Sequence, residues 1–139
     1  MQDITPAAVQ RNSRTLLFRV TKDGVPFELD EAQAIFVMKT DITALDSEAV
    51  LIKRTEDYPG GEGDNDQVLF VSLSPPYGGD NILWGVNVFL TSEDLSTALT
   101  PGQYYVQLDI VTFTDDTETD RFTAVQGYLT IEATGISSI

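Results

Sequence analysis

Carboxylates are the side chains of this sequence that offer acid–base or metal-binding chemistry, and they cluster in two segments. The clustered residues are Asp64 and Asp66 in GEGDNDQ, and Asp115, Asp116, Glu118 and Asp120 in TDDTETD. Glycoside hydrolysis needs two carboxylates held at a fixed separation, and Ca²⁺ prefers oxygen ligands. Both segments are predicted loop tips, and neither has the spacing of the twelve-residue calcium loop. We therefore predict solvated acidic tips with no bound metal. The alternative is a calcium site that uses Asp64, Asp66, Asp115, Asp116 or Asp120.

The rest of the catalytic inventory is short, because the 139 residues include no histidine and no cysteine. Without histidine the chain lacks the usual general base and the usual zinc ligand, and Ser-His-Asp or Cys-His arrangements cannot form. Without cysteine it has neither disulfides nor thiolate zinc sites. The residue inventory predicts a protein that is not an enzyme and that uses no cofactor.

Charge divides the chain into two unequal parts. Residues 1–54 contain 8 acidic and 7 basic side chains, whereas residues 55–139 contain 14 acidic side chains and one basic one, Arg121. A net charge of −14 repels phosphate backbones, so we expect no nucleic-acid binding. It favours either a well-solvated surface or partners that carry a basic patch. No apolar run is long enough to span a membrane, and the polar start MQDITPAAVQ does not resemble a signal peptide.

Alternation of apolar and polar residues predicts β-strands along most of the chain. In residues 15–21, Leu16, Phe18 and Val20 share one face, with Leu17 and Arg19 on the other. Further strands are predicted at residues 32–40, 49–55, 67–74, 81–91, 103–113 and 121–134. The segment 32–40 is almost continuously apolar, which indicates a strand that is central or covered on both faces.

Turn residues separate these strands. The Asp23-Gly24 pair predicts a hairpin turn, and the Gly-rich acidic segment 56–66 predicts a surface loop. One short helical turn is expected at residues 92–99, where Thr91 or Ser92 would act as the N-terminal cap. The predicted fold class is therefore all-β: an immunoglobulin-like antiparallel β-sandwich of about seven to nine strands with one short helical turn.

This fold prediction divides the chain into an N-terminal arm at residues 1–13, a sandwich at 14–134 and a C-terminal tail at 135–139. The expected core residues are Phe18, Phe36, Trp84, Tyr104 and Leu129. The stretch LTPGQYY resembles the corner of an immunoglobulin-like sandwich, where a tyrosine hydroxyl bonds back across the loop. We expect either Tyr104 or Tyr105 to play that structural part.

Protein contacts are the predicted use of the surface. The last strand, VQGYLTIEAT, is expected to offer an edge to which another chain can add. Tyr77, in the loop PPYGGD, is a candidate contact residue, and Arg11 and Arg14 are candidates for reaching the acidic half of another copy. An alternative is a carbohydrate platform of exposed rings, with Tyr77, Trp84, Tyr104, Tyr105 and Tyr128 as the candidates.

Three stretches carry recurring framework motifs: D-G-x-P with a following x-F-x-x-K strand, L-x-x-G-x-Y-x-x-x-x-D, and T-x-x-x-G-x-L-x-I. The matching residues are Asp23, Gly24, Pro26, Leu29, Ala32, Phe36 and Lys39; then Leu99, Gly102, Tyr104 and Asp109; then Thr123, Gly127, Leu129 and Ile131. In these motifs the chain resembles the small immunoglobulin-like domains of tailed-bacteriophage and prophage structural proteins, such as the N-terminal domain of upper baseplate proteins.

That resemblance implies a non-catalytic structural or assembly protein of a phage or prophage particle, as a tail, baseplate or neck component. It implies other virion proteins as partners, with further copies of the chain in a homo-oligomer. It also implies a location in the virion after synthesis in the bacterial host cytoplasm. The alternative from a different class is a carbohydrate-binding or calcium-stabilised adhesion module.

Overall fold

The computed structural model describes residues 2–4, 7–9, 13–22, 25–26, 32–41, 43, 49–56, 58–59, 67–73, 83–95 and 100–133. The strands in this part of the chain are β1 (Gln2–Ile4), β2 (Ala7–Val9), β3 (Arg14–Lys22), β4 (Val25–Pro26), β5 (Ala32–Lys39), β6 (Leu51–Arg54), β7 (Val68–Leu73), β8 (Leu83–Leu90), β9 (Gly102–Thr114) and β10 (Thr117–Glu132). No helix in the described part is long and apolar enough to cross a membrane.

Two sheets make the sandwich. The larger sheet has the order β1-β10-β9-β5-β6, with β2 also paired to β10, and the smaller sheet has the order β4-β3-β8-β7. Pairing is antiparallel throughout, except that β1 and β2 run parallel to β10. The predicted all-β, immunoglobulin-like sandwich is confirmed.

The core lies between the two sheets and follows the alternation in the sequence. On β3, Leu16, Phe18 and Val20 are buried whereas Leu17 and Arg19 are exposed, as predicted. The Phe18 ring meets Phe36 of the opposite sheet with ring centroids 6.2 Å apart. Each such side chain stabilises the fold by about 1.5–3 kcal/mol through its removal from water.

The predicted core is confirmed wherever the structure describes its side chains: Phe18, Phe36, Tyr104 and Leu129 are all buried. Inward-facing residues of β9 and β10 complete it, among them Val106, Leu108, Ile110, Leu129 and Ile131. Gly127 pairs with Val106 and Leu129 with Tyr104, so β9 and β10 keep one register from Val125 to Ile131. Only the backbone of Trp84 is described.

β5 is covered on both faces, as its continuous apolar sequence predicts. Phe36 and Met38 face the core, while Ile35 and Val37 join Val111 in a second buried cluster on the outer face of the larger sheet. The second cluster is covered by partly buried side chains: Ala49, Ile52, Tyr58 and Phe113. A strand with apolar contacts on both faces needs no polar alternation, which explains its sequence.

The segment after β8 forms one reciprocally capped turn. The Thr91 hydroxyl accepts a hydrogen bond from the Asp94 amide at 3.1 Å, and the Asp94 carboxylate accepts one from the Thr91 amide at 2.8 Å. The Leu95 amide then donates to the Thr91 carbonyl, which places the Leu95 side chain in the core. Thr91 is therefore the cap, and the described residues here make a single helical turn.

The hairpin tip between β9 and β10 is smaller than predicted. Residues 114–120 are expected as a loop, but only Asp115 and Asp116 turn, and Thr117 already pairs with Thr114. Both aspartates have positive φ, 51° and 63°, which is the backbone of a two-residue turn of type I′. Aspartate tolerates that conformation and threonine favours strands, so the ladder extends through most of the acidic segment.

The prediction that VQGYLTIEAT is a free edge is wrong. β1 pairs with residues Val125 to Gly127 of β10, and β2 pairs with Thr130 to Glu132. Two short pieces of the predicted N-terminal arm therefore lie in the larger sheet and satisfy the backbone groups of this strand. The Asp23-Gly24 turn and the tail at 135–139 lie outside the described residues.

Candidate interaction surfaces

The predicted site residues fall into two groups. Asp64, Asp66, Tyr77 and Arg11 lie outside the described residues. Asp115, Asp116 and Asp120 lie at the exposed end of the β9–β10 hairpin, and Arg14 is exposed at the start of β3. Among the described residues, no group of three or more acidic side chains is arranged to hold a metal ion.

Tyr104 makes the corner contact that LTPGQYY predicts. Its hydroxyl donates to the Thr100 carbonyl at 2.5 Å, and its ring is buried between the sheets. Burial raises the pKa of this hydroxyl above its ordinary value. Tyr104 is therefore a structural residue, which removes it from the candidate carbohydrate platform.

Tyr105 and Tyr128 lie together on the outer face of the larger sheet. Their rings meet edge to face with centroids 5.9 Å apart, and the Tyr105 hydroxyl donates to Gln107 at 2.9 Å. Tyr105 is only 4% exposed, whereas Tyr128 is 43% exposed. Tyr128 is therefore the one predicted platform ring among the described side chains that could stack on a ligand.

A polar network that the sequence analysis does not predict surrounds Asp109 on the same face. The Asp109 carboxylate accepts hydrogen bonds from Arg121 Nε, Thr123 Oγ1 and Gln107 Nε2, each at 2.8 Å. Burial alone lowers the pKa of Arg121, but the hydrogen bond and the charge of Asp109 outweigh it and raise that pKa above its usual value. Three donors of the chain bond to this carboxylate, which indicates a stabilising network.

The outer face of the smaller sheet has a different character. We call it the apolar face for the exposed apolar side chains of β3, β8 and β7, which share it with Asn87 and the exposed Arg19. Leu17 is 54% exposed, Leu69 44% and Phe89 36%. Leu17 and Leu69 flank Asn87 in adjacent strands. No free space lies over Gly85: a Cβ there would lie 3.0 Å from Leu17 Cδ1 and 3.3 Å from Val71 Cγ2, which is closer than side chains normally pack.

β7 forms one edge of that sheet. The Phe89 amide donates to the Gln67 carbonyl at 2.8 Å, so Gln67 and Phe89 are a hydrogen-bonded pair of the antiparallel ladder. Because such pairs recur at every second residue, Leu69, Val71 and Leu73 also direct their backbone groups toward β8. The amides and carbonyls of Val68, Phe70 and Ser72 consequently point away from it. No strand in the described part of the chain pairs with that side of β7.

Lys53 connects the two sheets near the β7 edge. Its ammonium lies 2.8 Å from Asp94 Oδ2 and also donates to the Gln67 side chain, while only 3% of the Lys53 side chain is exposed. It thus joins β6 of the larger sheet to the capped turn and to the first residue before β7. A buried ammonium is tolerable only with such partners.

Comparisons with known proteins add little to this geometry. No family model matches the chain, and no curated protein matches it. Among solved structures, the chain is similar to AggA, the major subunit of aggregative adherence fimbriae type I from Escherichia coli, at 10% identity over 91% of this chain and 89% of that one. The TM-score of 0.30 is too low to support an argument about function.

Proposed function

We propose that this chain is a non-catalytic structural or assembly protein of a phage or prophage particle, as a tail, baseplate or neck component. It acts through contacts with other structural proteins of the particle and with further copies of itself. It is made in the cytoplasm of the bacterial host and works in the virion. The framework motifs support the assignment to a phage or prophage particle. The surface of the sandwich supports the proposal that the chain acts through protein contacts.

The observation that carries the proposal is the apolar face. Leu17, Leu69 and Phe89 expose large apolar side chains on one side of a chain whose net charge is −14. These are three of the five large apolar side chains that are exposed in the described part of the chain, and exposed apolar residues that share one face are candidates for a protein contact. Covering them on association stabilises the complex by about 25 cal/mol for each Å² of apolar surface removed from water.

The outer face of the larger sheet is a weaker candidate for protein contacts. On the outer face of the larger sheet, Arg121 and Thr123 both donate hydrogen bonds to Asp109, and Tyr58 packs on Phe113 with ring centroids 5.2 Å apart. Groups already paired within the chain gain little from a partner. The apolar face therefore supports a docking role better than any other described surface.

Mass spectrometry of purified particles tests the proposal. Particles produced by a host that carries this gene should contain the chain in fixed stoichiometry with tail or baseplate proteins. Deletion of the gene should yield particles that lack a defined part in electron micrographs. Absence of the chain from washed particles, together with normal particles after deletion, would contradict the proposal.

A further inference from the structure

We propose that two copies of this chain pair through their β7 edges, antiparallel and about a two-fold axis, so that two four-stranded sheets become one eight-stranded sheet. This inference deepens the proposed function and rests on it only for the premise that the chain works through protein contacts. It goes further by naming the edge, the partner and the register. The partner is a second copy of the same chain.

The backbone of β7 presents outward donors and acceptors for such pairing. The amides and carbonyls of Val68, Phe70 and Ser72 point away from β8, as the hydrogen bond between Phe89 and Gln67 establishes. A two-fold axis at Phe70 would place Phe70 opposite its counterpart, and Val68 opposite Ser72 of the second copy. These three pairs would exchange about six hydrogen bonds across the seam.

β7 also lacks the features that keep other edges from pairing. Its six residues, VLFVSL, include no charged residue, proline or glycine, and its register with β8 is unbroken. By contrast, the part of β10 that neither β1 nor β2 covers contains Glu118, Asp120 and Arg121 and two register shifts. Charges and bulges are the usual protection of exposed edges, so the described edge of β7 is less protected than that part of β10.

Charge favours a two-fold antiparallel arrangement of two copies. The segment 56–66, which directly precedes β7, contains five acidic residues. Antiparallel pairing places the Gln67 ends of the two β7 strands, which the acidic segments precede in sequence, at opposite ends of the six-residue ladder, about 20 Å apart. That distance exceeds the Debye length of about 8 Å at physiological salt, so repulsion between charges at the two ends is largely screened. Parallel pairing would bring the two Gln67 ends side by side.

The apolar face supports a second copy as the occupant. In the proposed register, Leu69 of each copy lies opposite Val71 of the other on the outer side of the joined sheet, and cross-strand apolar pairs stabilise such a seam. Identical edges satisfy one another completely, because the same donors and acceptors recur on both sides of the axis. The apolar faces of both copies then form one continuous surface.

Sedimentation equilibrium of the full chain tests the inference, with Ser72→Pro and Ser72→Ala as matched variants. Proline removes an outward amide without removing a bond to β8, whereas alanine keeps that amide. We expect a monomer–dimer equilibrium that tightens as NaCl is added. Ser72→Pro should raise the dimer dissociation constant by about 10- to 100-fold, because each dimer loses two hydrogen bonds. Ser72→Ala should leave it unchanged.

Hydrogen exchange of the wild-type chain supplies a second measurement, which serves if Ser72→Pro does not fold. The amides of Val68, Phe70 and Ser72 should lose protection on dilution, while those of Leu69 and Val71 keep it. A chain that is monomeric at all concentrations would overturn the inference, as would dilution-independent protection of Phe70. Either result leaves the proposed function intact if the chain is still found in particles. A dimer absent from particles would instead contradict the function alone.

Discussion

The ammonium of Lys53 lies 2.8 Å from the carboxylate of Asp94, and both side chains are largely withdrawn from solvent. This ion pair ties an edge strand of the larger sheet to the turn that leads out of the smaller sheet. Because Lys53 also bonds to Gln67, the pair also holds the residue that precedes β7. The position of the candidate edge thus depends on a buried charge.

Replacing Lys53 by methionine should lower the free energy of unfolding by about 1–3 kcal/mol, because Asp94 then keeps a partly buried charge without its cation. Urea denaturation measures this loss. Arg19→Met is the matched control: Arg19 is exposed, so its replacement should change stability by less than about 0.5 kcal/mol. An equal loss in both variants would show that Lys53 acts through its general charge and not through Asp94.

Replacing Tyr104 by phenylalanine should lower the free energy of unfolding by about 1 kcal/mol, because the Thr100 carbonyl loses its donor. Burial raises the pKa of Tyr104 in the folded chain, so its protonated form is favoured there. The stability that this preference supplies is fully present below pH 10, about the pKa of a tyrosine in the unfolded chain. It is lost as the pH rises through the higher pKa of Tyr104 in the folded chain.

The loss of folding stability at alkaline pH tests the burial of Tyr104. Urea denaturation at neutral and alkaline pH should show a shallower alkaline loss of stability in Tyr104→Phe than in the wild type. Tyr128→Phe, at an exposed ring, provides the control and should change the free energy of unfolding at neutral pH by less than about 0.5 kcal/mol. Identical alkaline profiles for the wild type and Tyr104→Phe would contradict the assigned burial of Tyr104.

Replacing Arg121 by leucine should destabilise the chain by about 1–3 kcal/mol, because the buried Asp109 carboxylate loses its only ion-pair partner among the described residues. The loss is smaller than for a fully buried ion pair because Arg121 is partly exposed and Thr123 and Gln107 remain as donors. The double variant Asp109→Asn, Arg121→Leu should recover part of the loss. Strict additivity in this thermodynamic cycle would exclude a direct interaction.

Substitutions in the turn between β9 and β10 should stabilise the fold. Asp115 and Asp116 both adopt positive φ, so Asp115→Asn with Asp116→Gly should raise the free energy of unfolding by about 0.5–1 kcal/mol. Thermal melting measures the gain. The same melts with and without calcium test the adhesion alternative, since a cation held by Asp115, Asp116 and Asp120 would stabilise the wild type. Stabilisation of the wild type by calcium, lost in the double variant, would favour that alternative.

The sequence predicts those features that depend on residues close together in the chain. Alternation in β3 and β9 identifies the core faces, and the spacing in LTPGQYY identifies the tyrosine corner. Thr91 or Ser92 is predicted as the cap because such a hydroxyl needs only the amide of a residue two or three positions later, and the structure selects Thr91. In each case, local spacing decides the structure.

Features set by pairing between distant segments are not predictable in this way. The contact of Asp109 with Arg121 depends on the β9–β10 register, which shifts between Glu118 and Asp120 and again between Thr123 and Val125. Bulges of this kind have no reliable signal in sequence. β1 and β2 have three residues each, too few for an alternating pattern, so the covered edge of β10 is missed.

The apolar face is likewise not predictable from the sequence, because it depends on pairing between distant segments. Leu17, Leu69 and Phe89 each look like ordinary strand residues, and only the order β3-β8-β7 brings them onto one surface. Tyr77 and Arg11, the contact residues that the sequence favours, lie outside the described residues and stay predictions. A glycan array with the wild type and Tyr77→Ala tests the carbohydrate alternative.

Incorporation of variant chains into particles is a direct test of whether the apolar face is a docking surface. In a deletion host, we expect Leu17→Glu with Leu69→Glu to fold but to be missing from purified particles, because two carboxylates prevent burial of the apolar face. Val50→Glu is the matched control, since Val50 is 42% exposed away from that face, and it should be incorporated normally. Normal incorporation of the double variant would contradict the claim that this chain works through its apolar face.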